Sequence, residues 1–221
     1  MMITKLQQIV DAVKSKPKKK LVAAYANDSH TIEAVNNAVN LGIIDGVLVG
    51  DEQVIKQVCE AENIDASRFE IIHEPDEQKA ASLAVKLIHE GKGDILMKGL
   101  VSTDKYMRAI LNKEYGLLPP KAVLSHVAVL EVPSYHKLLI TTDVAVLPAP
   151  DLNQKVAMTN YVIQVAHALG IERPKVALVA ATEQMSPGMQ SCVDAAIISK
   201  MAERGQIRGA DVDGPLAIDV A

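Results

Sequence analysis

Aromatic residues are scarce in this chain: its 221 residues include no tryptophan, one phenylalanine and 3% aromatics in all. A surface built on base stacking, or an aromatic cage, is therefore not expected. The net charge of −4 also argues against binding of nucleic acid over the whole chain. We therefore expect no nucleic-acid partner.

Long apolar runs and paired cysteines are missing as well. No apolar run reaches about 18 residues, so no membrane span is expected. Residues 1–16 have the pattern of an amphipathic helix and lack the apolar segment of a signal peptide. Cys59 and Cys192 lie far apart in no metal or redox spacing, which favours a reducing compartment. These absences predict a cytoplasmic protein without a metal site or a membrane partner.

Short apolar runs alternate with helical patterns along the chain. In the first half we predict strands at Leu21–Ala26, Gly46–Val49, Phe69–Ile72 and Asp94–Met97, followed by helices at 29–41, 51–63, 76–90 and 102–115. Ser29 is the expected cap of the first of these helices, and Gly42 and Gly91 are expected stops. This alternation predicts an α/β fold with a mostly parallel sheet, in which ligands lie at the carboxyl ends of strands.

The second half has a different pattern. Apolar runs at 123–131 and 137–141 are too close for an intervening helix and predict an antiparallel pair. A helix at 151–169, a strand at 175–181, a helix at 190–204 and a strand start at 210–212 follow. The double proline at 119–120 breaks the preceding helix, so we predict an N-terminal domain at 1–120 and a second domain at 121–221.

The segment from Lys98 to Arg108 carries the clearest functional pattern. A predicted strand ends at Lys98, and Ser102-Thr103 then begin a helix that carries Arg108. Free N–H groups at a helix start, with hydroxyls and two cations, suit a phosphate or another oxyanion. The alternative is an ordinary capped surface helix with solvated cations. The spacings of a P-loop and of a dinucleotide-binding turn are both absent.

Two other strand ends carry polar side chains. Thr141, Thr142 and Asp143 follow one predicted strand, and Glu183 follows another; each could contact a polar substrate. The alternatives are a turn whose side chains satisfy local backbone groups, and a plain connecting loop. A Ser-His-Asp hydrolase would need a G-x-S-x-G nucleophile turn, which is absent, so no residue is assigned as catalytic.

Four segments taken together resemble one enzyme family. They are Met97-Lys-Gly-Leu-Val-Ser-Thr103 with Arg108, Leu124-Ser-His-Val127, Thr142-Asp-Val-Ala145 and Val212-Asp-Gly-Pro-Leu-Ala-Ile-Asp219. Their order and separation resemble the phosphate acetyl/butyryl transferase family, over essentially the whole chain. The acetyl branch has a Ser-Gly and a His before its Ser-Thr, so the Met-Lys-Gly-Leu-Val here is more similar to the butyryl or branched-acyl branch.

This resemblance implies a reaction and a fold. The reaction converts an acyl-CoA and orthophosphate into an acyl phosphate and CoA, so coenzyme A is a substrate and no cofactor is implied. The fold is two α/β/α three-layer domains, similar to the isocitrate and isopropylmalate dehydrogenases, with the active site in the cleft between the domains. A homo-oligomer is expected. The candidate substrate-binding residues, from the strand-end patterns and the resemblance together, are Lys98, Ser102, Thr103, Arg108, Thr141, Thr142, Asp143 and Glu183; of these, Ser102, Thr103 and Arg108 match family positions in the cleft.

One family feature has no counterpart in this sequence. A Ser-Arg pair and a nearby Asp, proposed in the family to hold phosphate and deprotonate the CoA thiol, belong to a C-terminal third that would follow Ala221. We therefore expect an incomplete chain with little or no activity by itself. Two alternatives stay open: a non-catalytic module that binds CoA or acyl phosphate, and a decarboxylating dehydrogenase on the related fold.

Overall fold

A computed structural model describes residues 2–219 and divides them into two compact units. One unit is Val10–Ala122, and the other contains the residues before Val10 and those from Val123 onward. The division falls inside helix α1 (Leu6–Lys14). The first residues join the later unit because Lys5 Nζ lies 3.0 Å from a carboxylate oxygen of Glu131, and Leu6 N–H donates to the same side chain at 2.9 Å. No helix within residues 2–219 is long and apolar enough to cross a membrane.

The unit Val10–Ala122 is built on a parallel sheet. Its elements are β1 (Lys19–Ala24), α2 (Ser29–Asn40), β2 (Ile44–Gly50), α3 (Glu52–Ala61), β3 (Glu70–His73), α4 (Glu77–His89), β4 (Ile95–Lys98) and α5 (Thr103–Ile110). The strand order in the described residues is β3-β2-β1-β4, and every pairing is parallel. The predicted α/β class with a parallel sheet is confirmed.

Successive residues of the central strands face opposite helical layers. Val22 and Val47 pack in one core with the alanines of α4 and with Ala109 of α5. Ala23 and Leu48, each one residue further along, pack in a second core with residues of α2 and α3. Because side chains alternate along a strand, this places one pair of helices on each face and makes the unit a three-layer sandwich.

The strand order produces a switch point between β1 and β4. The chain leaves β1 toward β2 and β3, and then returns through α4 to place β4 on the opposite side of β1. In open α/β sheets, ligands bind at the carboxyl ends of the two strands that flank such a reversal. The fold itself therefore directs attention to the loops that follow β1 and β4.

Helix ends in this unit follow local chemistry, with two corrections to the sequence prediction. The cap of α2 is Asp28, whose side chain accepts from Thr31 N–H at 3.0 Å; the predicted cap, Ser29, is the first helical residue. Helix α5 ends at Ile110, well before the predicted residue 115, because the Asn112 side chain accepts from the N–H groups of residues 114 and 115 and forms a turn. The predicted stops at Gly42 and Gly91 are confirmed by φ values of +73° and +72°.

Among the described residues, the other unit contains two short sheets, two complete helices and the first turn of α1. Its elements are β5 (Ala128–Leu130), β6 (Leu139–Thr141), α6 (Leu152–Ala168), β7 (Lys175–Val179), α7 (Gln190–Glu203) and β8 (Asp211–Leu216). The predicted antiparallel pair is confirmed as β5–β6, but it is shorter than predicted. Strand β8 pairs with β7 in parallel, and it begins at Asp211, within the strand start predicted at 210–212. Ile163, Ile198 and Ile207 form the buried centre of this unit.

Candidate functional site

The loop after β4 is fixed to the end of β1 by its backbone. Gly99 N–H donates to the Ala24 carbonyl at 3.0 Å, and Leu100 N–H donates to the Tyr25 carbonyl at 2.9 Å. A Cβ atom at Gly99 would lie 2.6 Å from the Tyr25 oxygen and 2.7 Å from the Ala24 oxygen, so only glycine fits. The segment from Lys98 to Ser102 is therefore held directly at the switch point of the sheet.

Helix α5 begins at this point with an open N-terminus. Ser102 is its N-cap and Thr103 its first residue, both exposed, and within residues 2–219 the Ser102 side chain makes no capping hydrogen bond to the helix. The N-termini of α2, α3 and α4 are closed by their own carboxylates, from Asp28, Asp51 and Asp76. Hydroxyls and unpaired N–H groups at a helix start attract an oxyanion. The predicted helix start is confirmed, and ligand binding by Ser102 and Thr103 stays a prediction.

The two predicted cations lie differently with respect to this helix. Lys98 is the exposed last residue of β4, and its ammonium lies 3.5 Å from the Gly99 carbonyl oxygen. Arg108 lies in the last turn of α5 with a side chain 74% exposed, and its Nε donates to Asp104 Oδ1 at 3.1 Å. In this arrangement Arg108 balances the charge of an acidic residue in the first helical turn. Contact between Arg108 and a ligand stays a prediction.

Sequence reasoning did not identify Glu77 and Lys105, which meet at the same helix start. The Glu77 carboxylate accepts from Ser102 N–H at 2.6 Å and forms an ion pair with the Lys105 ammonium. The Lys105 ammonium and the Ser102 N–H hold the pKa of Glu77 below its usual value, and the Glu77 carboxylate holds the pKa of Lys105 above its own. The available signal was a lysine three residues after a serine cap, where a capping box has an acid or an amide.

In the other unit, Asp143 lies two residues after the end of β6 and is surrounded by hydrogen-bond donors. Its Oδ1 accepts from Ala145 and Val146 N–H, both at 2.7 Å. Its Oδ2 accepts from Ser125 Oγ and His126 N–H, both at 2.9 Å. Burial by itself would raise the pKa of Asp143, but these hydrogen bonds outweigh it and hold the pKa well below the usual range of a carboxyl group.

Thr142 is also committed to protein partners. Its hydroxyl donates to the His126 carbonyl at 2.8 Å, and Thr141, the last residue of β6, lies opposite Ala128 in the hairpin. The arrangement matches the alternative in which the turn satisfies local backbone groups. The same side chains clamp the segment Ser125–His126 to the end of β6. Ligand contact by Thr141, Thr142 or Asp143 stays a prediction, and the structure gives Asp143 a full set of internal donors.

Ser125, His126 and Asp143 do not form a hydrolase triad. The Ser125 hydroxyl donates a hydrogen bond to Asp143, and the backbone N–H of His126, not its imidazole, donates to the same carboxylate. The Nδ1 atom of His126 is buried and has no hydrogen-bond partner among the described residues. A triad requires the imidazole to link the nucleophile and the acid. Ser125 is therefore not an activated nucleophile.

Glu183 lies in the irregular segment between β7 and α7. It is exposed, and no hydrogen bond or ion pair of its side chain occurs within residues 2–219. Its predicted role is not supported by any neighbour in this unit and stays a prediction. Within residues 2–219, no group of three or more His, Cys, Asp or Glu side chains is placed to hold a metal ion.

Comparison with known proteins identifies the family. The sequence matches the family described as Phosphate acetyl/butaryl transferase over residues 4–81 and 74–221. The chain belongs to this family. The resemblance drawn from its sequence motifs is thereby confirmed, and the enzyme class is that of the phosphate acyltransferases.

Individual relatives come from both branches of this family. The chain is 47% identical over 220 residues to a phosphate butyryltransferase of Clostridium acetobutylicum, and the match covers 100% of this chain and 73% of that protein. It is 41% identical over 214 residues to a phosphate acetyltransferase of Thermotoga maritima, covering 97% of this chain and 72% of that protein. The crystal structure of a branched-chain phosphotransacylase from Enterococcus faecalis V583 matches with a TM-score of 0.77 and 29% identity, covering 92% of this chain and 70% of that one.

Proposed function

We propose that this chain transfers a short acyl group between coenzyme A and orthophosphate, with butyryl or branched acyl chains as its substrates. The observation that supports this most directly is the open N-terminus of α5 at the switch point of the parallel sheet. Its relatives include a phosphate butyryltransferase and a branched-chain phosphotransacylase. The Met97–Val101 sequence, which resembles that of the butyryl or branched-acyl branch, supports the choice of acyl chain.

The residues at α5 suit the phosphate side of this reaction. A phosphate oxygen attacks the thioester carbonyl carbon, a C–O bond forms, and the C–S bond breaks with its electron pair leaving on sulfur. The first N–H groups of α5 and the hydroxyls of Ser102 and Thr103 can bind the remaining phosphate oxygens. Lys98 adds positive charge at this end of the sheet, while the charge of Lys105 is balanced by its ion pair with Glu77.

The chemistry requires no covalent bond between enzyme and acyl group. Phosphate and the CoA thiolate are themselves the nucleophiles in the two directions, so the enzyme has to orient them and stabilise the oxyanion on the acyl carbon. This agrees with the hydrogen bonding of Ser125, whose hydroxyl donates to the Asp143 carboxylate, a group with a lowered pKa, and is therefore not activated as a nucleophile. Coenzyme A then acts as a substrate, and no resident cofactor is part of the proposal.

We also propose that the protein is cytoplasmic, has two domains and forms a homo-oligomer. Both cysteines, Cys59 and Cys192, are buried and free, as suits a reducing compartment. The two compact units, Val10–Ala122 and the one that contains the residues from Val123 onward, support a two-domain organisation. Small-molecule enzymes with α/β folds are commonly symmetric oligomers. Size-exclusion chromatography with light scattering would measure the number of subunits.

The test measures turnover and binding in parallel. Release of free thiol from butyryl-CoA is followed with and without phosphate, and binding of CoA is measured by calorimetry. Phosphate-dependent release of thiol, faster with butyryl-CoA and isobutyryl-CoA than with acetyl-CoA, would support the acyl-transfer proposal and contradict the expectation of little or no activity in this chain by itself. Binding of CoA without turnover would favour the non-catalytic module instead. Absence of both binding and turnover would contradict the acyl-transfer proposal and the binding-module alternative together.

A further inference from the structure

Glu77 connects the N-termini of two neighbouring helices. It is the first residue of α4, directly after the cap Asp76, and its carboxylate reaches across to α5. One oxygen accepts from Ser102 N–H at 2.6 Å, and the other pairs with the Lys105 ammonium. The side chains of Lys105 and Glu77 are 38% and 26% exposed, so both are partly removed from water.

The contact completes half of a capping box with a residue from another helix. In a capping box, the acid three residues after the cap accepts from the N–H of the cap, and the cap hydroxyl accepts from the N–H of that third residue. Here the third residue is Lys105, and Glu77 supplies the missing carboxylate from α4. The reciprocal bond, from the N–H of Lys105 to the Ser102 hydroxyl, is not formed within the described residues. Glu77 thus fixes the backbone N–H of Ser102, and the Ser102 hydroxyl lies near the same carboxylate.

A second acid at the equivalent place in another helix behaves differently. Glu52 is the first residue of α3 and directly follows the cap Asp51, as Glu77 follows Asp76. Its carboxylate pairs with Lys56 of its own helix at 2.6 Å. An acid at this position therefore does not in general reach a neighbouring helix. The contact across to Ser102 is a particular feature of Glu77.

We propose that Glu77 is a positioning residue for phosphate: it fixes the backbone of Ser102 and holds the Lys105 ammonium beside the open start of α5. This inference rests on the proposed function. The ion pair with Lys105 cancels the negative charge of Glu77, so the carboxylate orders the helix start without repelling an incoming anion. Removing Glu77 frees the Ser102 N–H and releases a flexible lysine, and both changes disorder the groups that would bind phosphate.

The experiment combines amide hydrogen exchange with steady-state kinetics on the full chain. In the wild type, saturating inorganic phosphate should slow exchange of the Thr103–Lys105 amides at least tenfold. Glu77→Ala should speed exchange of the Ser102 amide at least tenfold and weaken phosphate binding at least tenfold. The KM for butyryl-CoA should stay within threefold, because a defect confined to the phosphate groups separates the two substrates.

Conservative and matched variants separate positioning from general structural damage. Glu77→Gln keeps an acceptor oxygen for Ser102 N–H, so the Ser102 amide should exchange within threefold of the wild type and phosphate binding should be intermediate. Glu52→Gln removes the equivalent carboxylate of α3 and should change neither measurement. Should Glu77→Ala fail to fold, Glu77→Gln and Lys105→Met test the same two contacts one at a time.

The possible failures are distinguishable. Faster Ser102 exchange in Glu77→Ala with unchanged phosphate affinity would overturn the positioning role. Phosphate-dependent thiol release in a wild type whose Thr103–Lys105 amides are not protected would also overturn it, while the proposed function would stand. Protection by phosphate that is lost in Glu77→Ala, in a wild type that releases no thiol, would support the positioning role and count against the acyl transfer.

Discussion

Replacing Asp143 tests whether this carboxylate is a structural clamp or a substrate ligand. Its two oxygens accept from Ala145, Val146, His126 and Ser125 at distances between 2.7 and 2.9 Å. These bonds tie the loop after β6 to the segment before β5. Removing the carboxylate therefore leaves three backbone N–H groups and one hydroxyl without their acceptor.

The size of the effect follows from the kind of bond. A hydrogen bond to a charged acceptor contributes about 1.5–3 kcal/mol, and water replaces part of it where the group is not fully buried. In Asp143→Asn the amide oxygen still serves the N–H groups of Ala145 and Val146, but the amide nitrogen opposes the N–H of His126. We expect Asp143→Asn to lower the free energy of unfolding by about 2 kcal/mol, and Asp143→Ala by about 3 kcal/mol.

The same carboxylate gives the effect a pH dependence of known sign. Its folded pKa is held well below the unfolded value, so its contribution is complete above the unfolded pKa and is lost as the pH falls through the folded pKa. With an unfolded pKa of about 3.9, moving from pH 7 to pH 3 removes about 1.3 kcal/mol from the wild type. The asparagine side chain does not titrate, so the gap between wild type and Asp143→Asn should narrow by that amount.

Urea unfolding followed by far-UV circular dichroism at pH 7 and pH 3 measures both quantities. The control is Asp151→Asn, at the N-cap of α6 in the same unit, where asparagine is an equally good cap and the change should stay within about 0.5 kcal/mol. If Asp143→Asn were as stable as the wild type at pH 7, the clamp would be refuted. Asp143 would then again be a candidate for direct contact with substrate.

Three further substitutions test other parts of the structure. Gly99→Ala forces a Cβ atom against carbonyl oxygens of the β1 end and should cost about 1–3 kcal/mol in urea unfolding, with weaker phosphate use. In Asp194→Ala the Lys155 ammonium loses a carboxylate oxygen 2.6 Å away, on a side chain that is 3% exposed, and the free energy of unfolding should fall by about 3 kcal/mol. Asp194→Leu combined with Lys155→Met should recover at least half of that loss. If the Arg108 guanidinium contacts phosphate or CoA, Arg108→Ala should lower kcat/KM by roughly 30-fold, or about 2 kcal/mol. Unchanged kinetics would remove Arg108 from the site. The control Asp104→Asn frees the guanidinium and should not reproduce the loss.

The sequence was a good guide wherever a structural feature depends on neighbouring residues. Strands such as Ile44–Gly50 are short apolar runs, and stops such as Gly42 adopt a positive φ that glycine favours. The start of α5 at Ser102 follows from the same local rules. These signals extend over at most a few residues, so a single sequence displays them directly.

The contacts that Glu77 and Asp143 make were not predictable in this way. Glu77 and Ser102 are 25 residues apart, and Asp143 accepts from a hydroxyl 18 residues earlier. Each contact depends on the strand order and on how two elements pack. A helical pattern records which residues share a face, but not which side chain from another helix meets them. Glu77 consequently looked like an ordinary acidic residue in the first turn of a helix.

The charges at the carboxyl end of the sheet explain why an anion would select α5 among its neighbours. A helix start carries about half a positive charge, and a cap carboxylate reverses it to about half a negative charge at α2, α3 and α4. At α5 the cap is a neutral serine, and the two nearby acids are each paired with a cation, Asp104 with Arg108 and Glu77 with Lys105. With the charge of Lys98 added, the start of α5 has a net charge of about +1.5. An anion is therefore repelled by the starts of α2, α3 and α4 and attracted by the start of α5.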